Sequence, residues 1–322
     1  MQATPPQPLG LTTFTVEGRR APALFVVGWL GVLVGVALVL LAAMGPTGLG
    51  GAIVAAAGFA GLSIGSVLLA GSQTIEQRAA GLPHPGPSPV LVFVAVVATS
   101  RFAGYLVGGL LLTLVGEIPR PIGDLIAVIV QAAVFLGIVQ LTVVGAGAMS
   151  WADIGLAGRR PGIVGRELLG GAVFAGPVIL VTSVVALAAV QLAGVTPLSP
   201  LPPTGTPSGL VLHLLAGALI APVAEEVLFR GFALSAWLRT AGARAAIVRS
   251  SILFVLAHVL FVGGDTFGEA VRLAFVGGVV RIPIAFTLGW LFVRTGSLWG
   301  PIGLHAAFNA VLITLGETAL GG

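Results

Sequence analysis

Three charged residues in the run APVAEEVLFRGF have types and spacing that suit acid–base chemistry. Glu226 and Arg230 are four residues apart, so on an α-helix they share one face and can form an ion pair. Glu225 is rotated by about 100° from Glu226 and cannot join that pair equally. We therefore expect Arg230 to neutralise Glu226, while Glu225 stays available for chemistry. A purely structural charge cluster at a helix end is the alternative that this run leaves open.

Two histidines follow, each at helical spacing from a second side chain of interest. Phe254 lies one turn before His258 on the same helix face, where its ring could shield the imidazole from lipid. His305 and Asn309 share a face in the same way. Each pair is compatible with ordinary helix packing. His305 and Asn309 could equally be hydrogen-bond donors to an oxyanion, and His305 could be a metal ligand.

Together these groups predict hydrolysis of an amide bond by water. A glutamate and a histidine held at low dielectric can remove a proton from water. A second histidine and an amide can stabilise the oxyanion that forms when water attacks a carbonyl. Ionisable residues at membrane depth are rare and usually functional, and chance would not favour two carboxylates, two imidazoles and an amide on successive helices.

The elements that hold these groups must be membrane helices. Of the 322 residues, 57% are hydrophobic and only 8% are charged, whereas soluble domains are about 25% charged. So few charges cannot cover the surface of a soluble protein of this size, which excludes a typical cytosolic enzyme and a disordered chain. The 15 basic residues form no cluster that could follow a phosphate backbone, so nucleic acid is not an expected partner. The absence of cysteine excludes a thiolate nucleophile.

Nine stretches are candidate bilayer spans, for which about 20 apolar residues are needed, although the seventh is short. They are Ala23–Met44, Leu49–Ala70, Val90–Gly116, Ile122–Met149, Leu168–Ala193, Gly209–Leu234, Ile247–Val262, Leu273–Val293 and Leu298–Leu320. The sequence therefore predicts an all-α fold, a polytopic transmembrane helical bundle of about eight or nine spans. Its active site is expected inside the C-terminal core helices.

The positions of the arginines orient these spans. With a cytoplasmic N-terminus, ten arginines fall on the cytoplasmic side, two fall outside and three lie within spans, as the positive-inside rule requires. The first span lacks a clear cleavage site, so we expect it to stay as an anchor. We expect a multi-pass protein of a bacterial plasma membrane, with the lipid bilayer and a membrane-associated peptide or protein substrate as its partners.

Composition divides the chain into four regions. They are a polar N-terminal segment (1–22), the N-terminal transmembrane helices (23–193), a Pro-rich loop (194–208) and a catalytic transmembrane core (209–322). Glycines four residues apart predict close helix contacts, because small residues let helix backbones approach. The pairs at this spacing include Gly31 with Gly35, Gly61 with Gly65, and Gly104 with Gly108.

The three polar blocks resemble the CAAX-protease and bacteriocin-processing family of intramembrane proteases, also called the CPBP or Abi family. That family is marked by E-E-x-x-x-R, F-x-x-x-H and H-x-x-x-N/D on successive core helices. These motifs stand here as Glu225, Glu226 and Arg230, then Phe254 and His258, then His305 and Asn309. The run RTGSLWGPIGLHAAFN and the stretch WADIGL at Trp151 to Leu156 also resemble family segments. The resemblance covers about 209–320.

The resemblance implies a role for each block and a class of reaction. Glu225 and His258 would activate the water, His305 and Asn309 would form the oxyanion site, and the ion pair of the first block would support it. Eukaryotic members of the family cleave the last three residues from prenylated CAAX proteins. The resemblance therefore implies a hydrolase similar to CAAX prenyl endopeptidases.

The resemblance does not decide whether the reaction depends on a metal ion. The family is often described as metalloproteases, and Glu225, His258 and His305 would give one zinc ion three N/O ligands, with water in the fourth position. The same three residues fit a metal-free scheme in which glutamate alone acts as the base. The sequence therefore leaves a divalent metal ion such as zinc as one of two alternatives.

Other interpretations also remain open from the sequence. A non-proteolytic membrane transporter or bacteriocin-immunity scaffold could use the same buried polar groups, and a catalytically inactive family member is a third hypothesis. Arg281 could meet a substrate carboxylate near the site, but we expect it to pair with Glu269 or to lie at a membrane interface. Arg101 is expected inside the bundle. His84 and His213 are assigned no role.

Overall fold

The structure, a computed structural model, describes residues 15–45, 48–196 and 201–320. Within these ranges the chain is helical and contains no strand, which confirms the all-α prediction. Its α-helices are α1 (Pro22–Met44), α2 (Leu49–Ala79), α3 (Pro89–Leu114), α4 (Arg120–Val139), α5 (Pro161–Val173), α6 (Ala175–Ala193), α7 (Pro207–Leu214), α8 (Ala221–Glu226), α9 (Ser235–Val259), α10 (Phe267–Val279), α11 (Ile282–Thr295) and α12 (Trp299–Leu320). Three π-helical segments, Gln140–Val144, Leu215–Ile220 and Val227–Leu234, extend α4 and flank α8.

Parts of all four predicted regions lie outside the described residues. These are residues 1–14 of the polar N-terminal segment, 46–47 of the N-terminal transmembrane helices, 197–200 of the Pro-rich loop and 321–322 of the catalytic core.

Eight helical stretches of the described chain are long and apolar enough to cross a membrane. They are Pro22–Met44, Leu49–Ala79, Pro89–Leu114, Arg120–Val144, Pro161–Ala193, Pro207–Val259, Phe267–Thr295 and Trp299–Thr318. This confirms the prediction of a polytopic transmembrane protein with eight or nine spans. The cytoplasmic location of the N-terminus stays a prediction from the arginine positions.

The sixth stretch, Pro207–Val259, contains both the sixth and the seventh predicted span. Its 53 residues would extend about 80 Å as one straight helix, far more than the bilayer's hydrocarbon core of about 30 Å. The stretch turns at Gly242, whose φ of 76° and ψ of 169° interrupt the helix in a conformation that favours glycine. The two predicted spans are therefore the two arms of this stretch, and the connection expected between them is largely helical.

Two other predicted spans are each broken into two helices by a proline. Proline has no N–H for the carbonyl four residues earlier. Pro177 withholds this bond from Val173, the last residue of α5, and Pro283 withholds it from Val279, the last residue of α10. Apolar composition indicated continuous spans at both places, but the backbone hydrogen bonds require a break.

The described chain divides into two compact units. The first comprises the chain up to Gly109 together with Gly137–Met149. In it α1 and α2 pack through glycines, since a Cβ added at Gly31 would lie 3.0 Å from the Cα of Gly65. A Cβ added at Gly61 would lie 3.3 Å from the Cα of Gly35. These contacts agree with the predicted role of both glycine pairs.

Two expectations for α3 are wrong. A Cβ added at Gly104 or Gly108 would meet nothing within 4 Å among the described residues, so this pair forms no close helix contact there. Arg101 is exposed and not inside a bundle, and its guanidinium carbon lies 6.0 Å from the ring centroid of Phe59.

The second unit comprises Leu110–Leu136 and the chain from Ser150 onward, and it contains every motif residue. Here α5 lies directly against α12. A Cβ added at Gly171 would overlap the carbonyl of Gly300, and one added at Gly303 would overlap the carbonyl of Leu168. Glycines thus let the two helix backbones touch and fix the position of α12. The division of the sequence at residue 209 stays a prediction.

Candidate active site

The glutamate pair ends α8, a short helix enclosed by two π-helical segments. In a π-turn each carbonyl accepts from the N–H five residues later, and Ala221 closes the first segment in this way. The carbonyl of Gly217 would need the N–H of Pro222, which has none. Asn309 on α12 donates its side-chain amide to this carbonyl instead, at 2.7 Å. The proline thus leaves an acceptor that ties α12 to the segment before the glutamates.

Glu226 and Arg230 form the ion pair that their spacing predicts, and both side chains are fully buried. Nη1 of Arg230 donates to Oε1 of Glu226 at 3.0 Å, and Nη2 donates to the carbonyl of Ala285 on α11 at 3.0 Å. The same carboxylate oxygen accepts from Nδ1 of His305 on α12 at 2.8 Å. A buried charge is tolerated only when paired and hydrogen-bonded, so this cluster connects α8, α11 and α12.

The hydrogen bonds assign the ring protons of the two histidines. Nδ1 of His258 lies 2.7 Å from the carbonyl oxygen of Phe254, and a carbonyl only accepts, so this nitrogen must carry a proton. Nδ1 of His305 must likewise carry a proton in order to donate to the carboxylate of Glu226. In both rings Nε2 is therefore the nitrogen left for chemistry.

Both Nε2 atoms face the same oxygen of Glu225. Oε2 of Glu225 lies 3.8 Å from Nε2 of His258 and 3.9 Å from Nε2 of His305. This oxygen is buried and has no hydrogen-bond partner among the described residues. The structure thus brings three of the four predicted catalytic side chains together, and Asn309 lies one helical turn beyond His305.

Phe254 packs in the middle of this group. Its ring centroid is 4.5 Å from that of His258 and 5.7 Å from that of His305. The guanidinium carbon of Arg230 lies 4.5 Å from the same ring, within the range of a cation–π interaction. The ring is 2% exposed, so it closes one side of the site with an apolar surface.

The part of the sequence that carries this site is similar to a known family. Residues 207–311 match the family of Rce1-like type II CAAX prenyl endopeptidases. The matched stretch is about a third of the 322 residues and contains all seven motif residues. The match confirms the resemblance drawn from the three motifs. The chain matches no curated protein and no solved structure.

The predicted zinc site consists of three residues of the Rce1-like segment: Glu225, His258 and His305. Their donor atoms have the types that zinc accepts. In the arrangement described above, however, no group of three or more His, Asp or Glu side chains among the described residues is placed to hold a metal ion. The zinc site therefore stays a prediction from residue types.

The WADIGL stretch, which precedes the Rce1-like segment in the sequence, packs against it. The amide of Leu298 donates to the carbonyl of Gly155 at 3.0 Å. Ile154 is fully buried, and its side chain occupies the space that a Cβ on Gly231 would need. The two stretches that resembled the family outside its three motifs are thus in contact with each other, beside the residue that follows Arg230.

The same stretch is anchored by an aspartate that sequence reasoning missed. Asp153 accepts from the side chain and the backbone of Ser150 at 2.6 and 2.8 Å. It also pairs with Arg239 at 3.2 Å. The hydrogen bonds from Ser150, together with the charge of Arg239, hold the pKa of Asp153 below its ordinary value.

His213 and Arg281 are two further polar residues of the Rce1-like segment. His213 is buried, with Nε2 at 3.1 Å from Oδ2 of Asp124 on α4. Arg281 does not pair with Glu269, contrary to one expectation, because no ion pair of the described residues includes it. The carboxylate of Glu269 instead accepts from the amide of Asp265 at 2.8 Å.

Proposed function

We propose that this chain is an intramembrane endopeptidase that hydrolyses peptide bonds of membrane-associated substrates, in the manner of CAAX prenyl endopeptidases. One observation carries the proposal. Two imidazole Nε2 atoms approach one oxygen of Glu225 within 4 Å, inside the segment that matches the Rce1-like family. A buried carboxylate oxygen without a hydrogen-bond partner is suited to act as a base toward a water that enters the site.

In the proposed mechanism Glu225 and His258 hold the water, and Glu225 deprotonates it. Because Nδ1 of His258 is protonated and Nε2 is an acceptor in the neutral ring, Nε2 can accept one hydrogen bond from the water. Glu225 accepts the other proton while the water oxygen bonds to the peptide carbonyl carbon. When the C–N bond of the tetrahedral intermediate breaks, Glu225 returns the proton to the leaving amine. General acid–base catalysis of this kind contributes about 10²–10⁴-fold.

His305 and Asn309 are proposed to stabilise the oxyanion. The side chain of Asn309 has two N–H groups, and only one is needed for the carbonyl of Gly217. His305 can donate through Nε2 only if it carries both ring protons, since Nδ1 already donates to Glu226. The carboxylate of Glu226 is placed to stabilise that imidazolium, which gives it a role beyond pairing with Arg230.

Cleavage by the purified full-length chain in a nonionic detergent tests the proposal. Two probes are a peptide that ends in a farnesylated cysteine followed by three aliphatic residues, and an apolar peptide long enough to span a bilayer. Products are identified by mass spectrometry. We expect cleavage of at least one probe, with losses of about 10²-fold or more for Glu225→Gln and His258→Ala, because each removes a group that acts on the water.

The matched control is Glu117→Gln, which removes an exposed carboxylate distant in sequence from the three motifs. It should cleave at the wild-type rate. Unchanged cleavage by Glu225→Gln and His258→Ala would overturn the proposal. Absence of any cleavage, together with solute flux driven by a pH gradient, would favour the transporter hypothesis.

Metal dependence is tested by treating active protein with a chelator and measuring bound zinc. The proposed mechanism uses only Glu225 and the two histidines, so we expect activity to survive chelation. Loss of activity that zinc restores, with one zinc per chain absent from Glu225→Gln, would contradict this and favour a metalloprotease.

A further inference from the structure

Arg281 occupies the break between α10 and α11 that Pro283 imposes. Nη1 of its guanidinium donates to the carbonyl of Gly277 at 2.6 Å, which fixes the direction of the side chain. The residue is half-buried within the apolar stretch Phe267–Thr295. The described residues offer it no carboxylate within ion-pair distance.

The guanidinium of Arg281 lies on the histidine side of the candidate active site. A Cβ added at Gly277 would be 3.5 Å from Nη1 of Arg281 and 3.6 Å from a methyl group of Val259, the residue that follows His258. The positive charge of Arg281 interacts electrostatically with both Glu225 and His258. It is therefore a cation in the neighbourhood of the proposed water-activating pair, and it forms no ion pair with Glu225 among the described residues.

An unpaired charge at this depth is unfavourable, and such groups usually pair with a counter-ion or mark a substrate path. Glu226 and Arg230 form an ion pair with each other, whereas Arg281 has no ion-pair partner in the described part of the site. A guanidinium presents donors in a planar fork that matches a carboxylate. The Nε and Nη2 donors of Arg281 have no hydrogen-bond partner in the described chain, because its one side-chain bond uses Nη1.

We propose that Arg281 binds a carboxylate of the peptide substrate, and specifically the C-terminal carboxylate of a chain cleaved near its free end. The proposal rests on the proposed peptidase function and assigns Arg281 as a specificity-determining residue of that site. The bound carboxylate supplies the missing counter-ion, and the fixed guanidinium then sets how far from the C-terminus the scissile bond lies.

Peptide binding to the full-length chain in dodecyl maltoside tests this assignment. The probe is a fluorescent peptide that ends in a farnesylated cysteine and three aliphatic residues, made with a C-terminal acid or a C-terminal amide. A third version combines the amide with an aspartate as the last residue. Fluorescence anisotropy is measured in the Glu225→Gln background, so that turnover does not consume the probe.

We expect the acid to bind about tenfold or more tightly than the amide, since a charge-assisted hydrogen bond is worth about that factor. Arg281→Gln should abolish this preference, Arg281→Lys should keep part of it, and the control Arg272→Gln, an exposed arginine of α10, should keep all of it. Tight binding of the amide that ends in aspartate would leave the carboxylate assignment intact but overturn its restriction to the C-terminus.

Equal binding of acid and amide, a preference that survives in Arg281→Gln, or no binding of either peptide would overturn the assignment. The acid-to-amide comparison is made in the presence of Arg281, so it does not depend on the folding of an Arg281 variant. Cleavage by the wild-type chain reports separately on the peptidase function. A chain that cleaves both peptides and binds them equally would keep that function and lose this proposal.

Discussion

Nδ1 of His305 lies 2.8 Å from Oε1 of Glu226, the same carboxylate oxygen that accepts from Arg230. The second glutamate of the motif therefore faces an imidazole as well as the guanidinium that its spacing predicted. This contact orients the His305 ring so that Nε2 points toward Glu225. One buried carboxylate thus joins the stabilising ion pair to the proposed catalytic group.

The two roles of Glu226 can be separated by a double substitution. Glu226→Leu alone leaves Arg230 as a buried unpaired charge, which should reduce the stability by about 3–5 kcal/mol. Adding Arg230→Met replaces the whole pair by apolar groups, a change that is often neutral or stabilising. We expect thermal unfolding in detergent to show that the double variant regains much of the stability lost in Glu226→Leu, with the unpaired Nδ1–H of His305 as the remaining cost.

Peptide cleavage should not return in that double variant, because His305 still lacks its carboxylate partner. The unfolding measurement shows whether the double variant is folded at the assay temperature, so a low rate of the folded variant reports on the His305–Glu226 contact. Full recovery of cleavage in Glu226→Leu/Arg230→Met would show that Glu226 acts only through the stability of the fold.

The local parts of this site could be predicted from spacing, whereas its long-range contacts could not. The Glu226–Arg230 pair follows from a separation of four residues, and it forms even though the segment after Glu226 is π-helical. The contact between His305 and Glu226 spans 79 residues. It depends on the rotation of α12 against α8, which packing sets and the sequence pattern does not contain.

Glycine spacing likewise does not predict which transmembrane helices are in contact. Gly31 and Gly35 have the same spacing as Gly104 and Gly108, but only the first pair meets another helix backbone in the described chain. The pattern predicts that a helix face is smooth. It does not say whether another helix lies against that face, which depends on the connections and on the surrounding side chains.

The close approach of α5 and α12 can be tested at two neighbouring glycines. A Cβ at Gly171 would overlap the carbonyl of Gly300, whereas one at Gly170 would meet nothing within 4 Å. Gly171→Ala should therefore destabilise the protein by about 1–3 kcal/mol, as expected for overpacking against a backbone. Gly170→Ala should be neutral or stabilising by up to about 1 kcal/mol, because alanine favours the helix.

Thermal unfolding in one detergent measures both glycine variants. Cleavage should fall only for Gly171→Ala, since displacement of α12 moves His305. Equal effects of the two substitutions would contradict a direct contact between the two helix backbones.

The contribution of Asp153 to the stability of the protein, through its contacts in the WADIGL stretch, should depend on pH. Its folded pKa is below the ordinary value, so its contribution to stability is complete above the unfolded value of about 3.9. That contribution is lost as the pH falls through the folded pKa. The stability difference between wild type and Asp153→Asn should thus be present near neutral pH and shrink below about pH 4.

Unfolding temperatures measured from neutral to acidic pH test this expectation. Asp265→Asn, at an exposed aspartate, serves as the control and should not reproduce the pH-dependent difference. A difference for Asp153→Asn that stays constant, or grows, as the pH falls would contradict the assignment.

Asn309 donates to the carbonyl of Gly217 because Pro222 has no N–H to offer that carbonyl. Asn309→Ala leaves the Gly217 carbonyl without its donor and should reduce stability by about 1–3 kcal/mol. Pro222→Ala restores an N–H at residue 222 that can bond to that carbonyl within the helix. We therefore expect Pro222→Ala/Asn309→Ala to be more stable than the sum of the single effects predicts, by about 0.5–3 kcal/mol.

Additive effects in this cycle would mean that the proline does not create the acceptor. Cleavage should stay low in the double variant even where stability returns, because the helix N–H replaces the structural bond of Asn309 and not its proposed donation to the oxyanion.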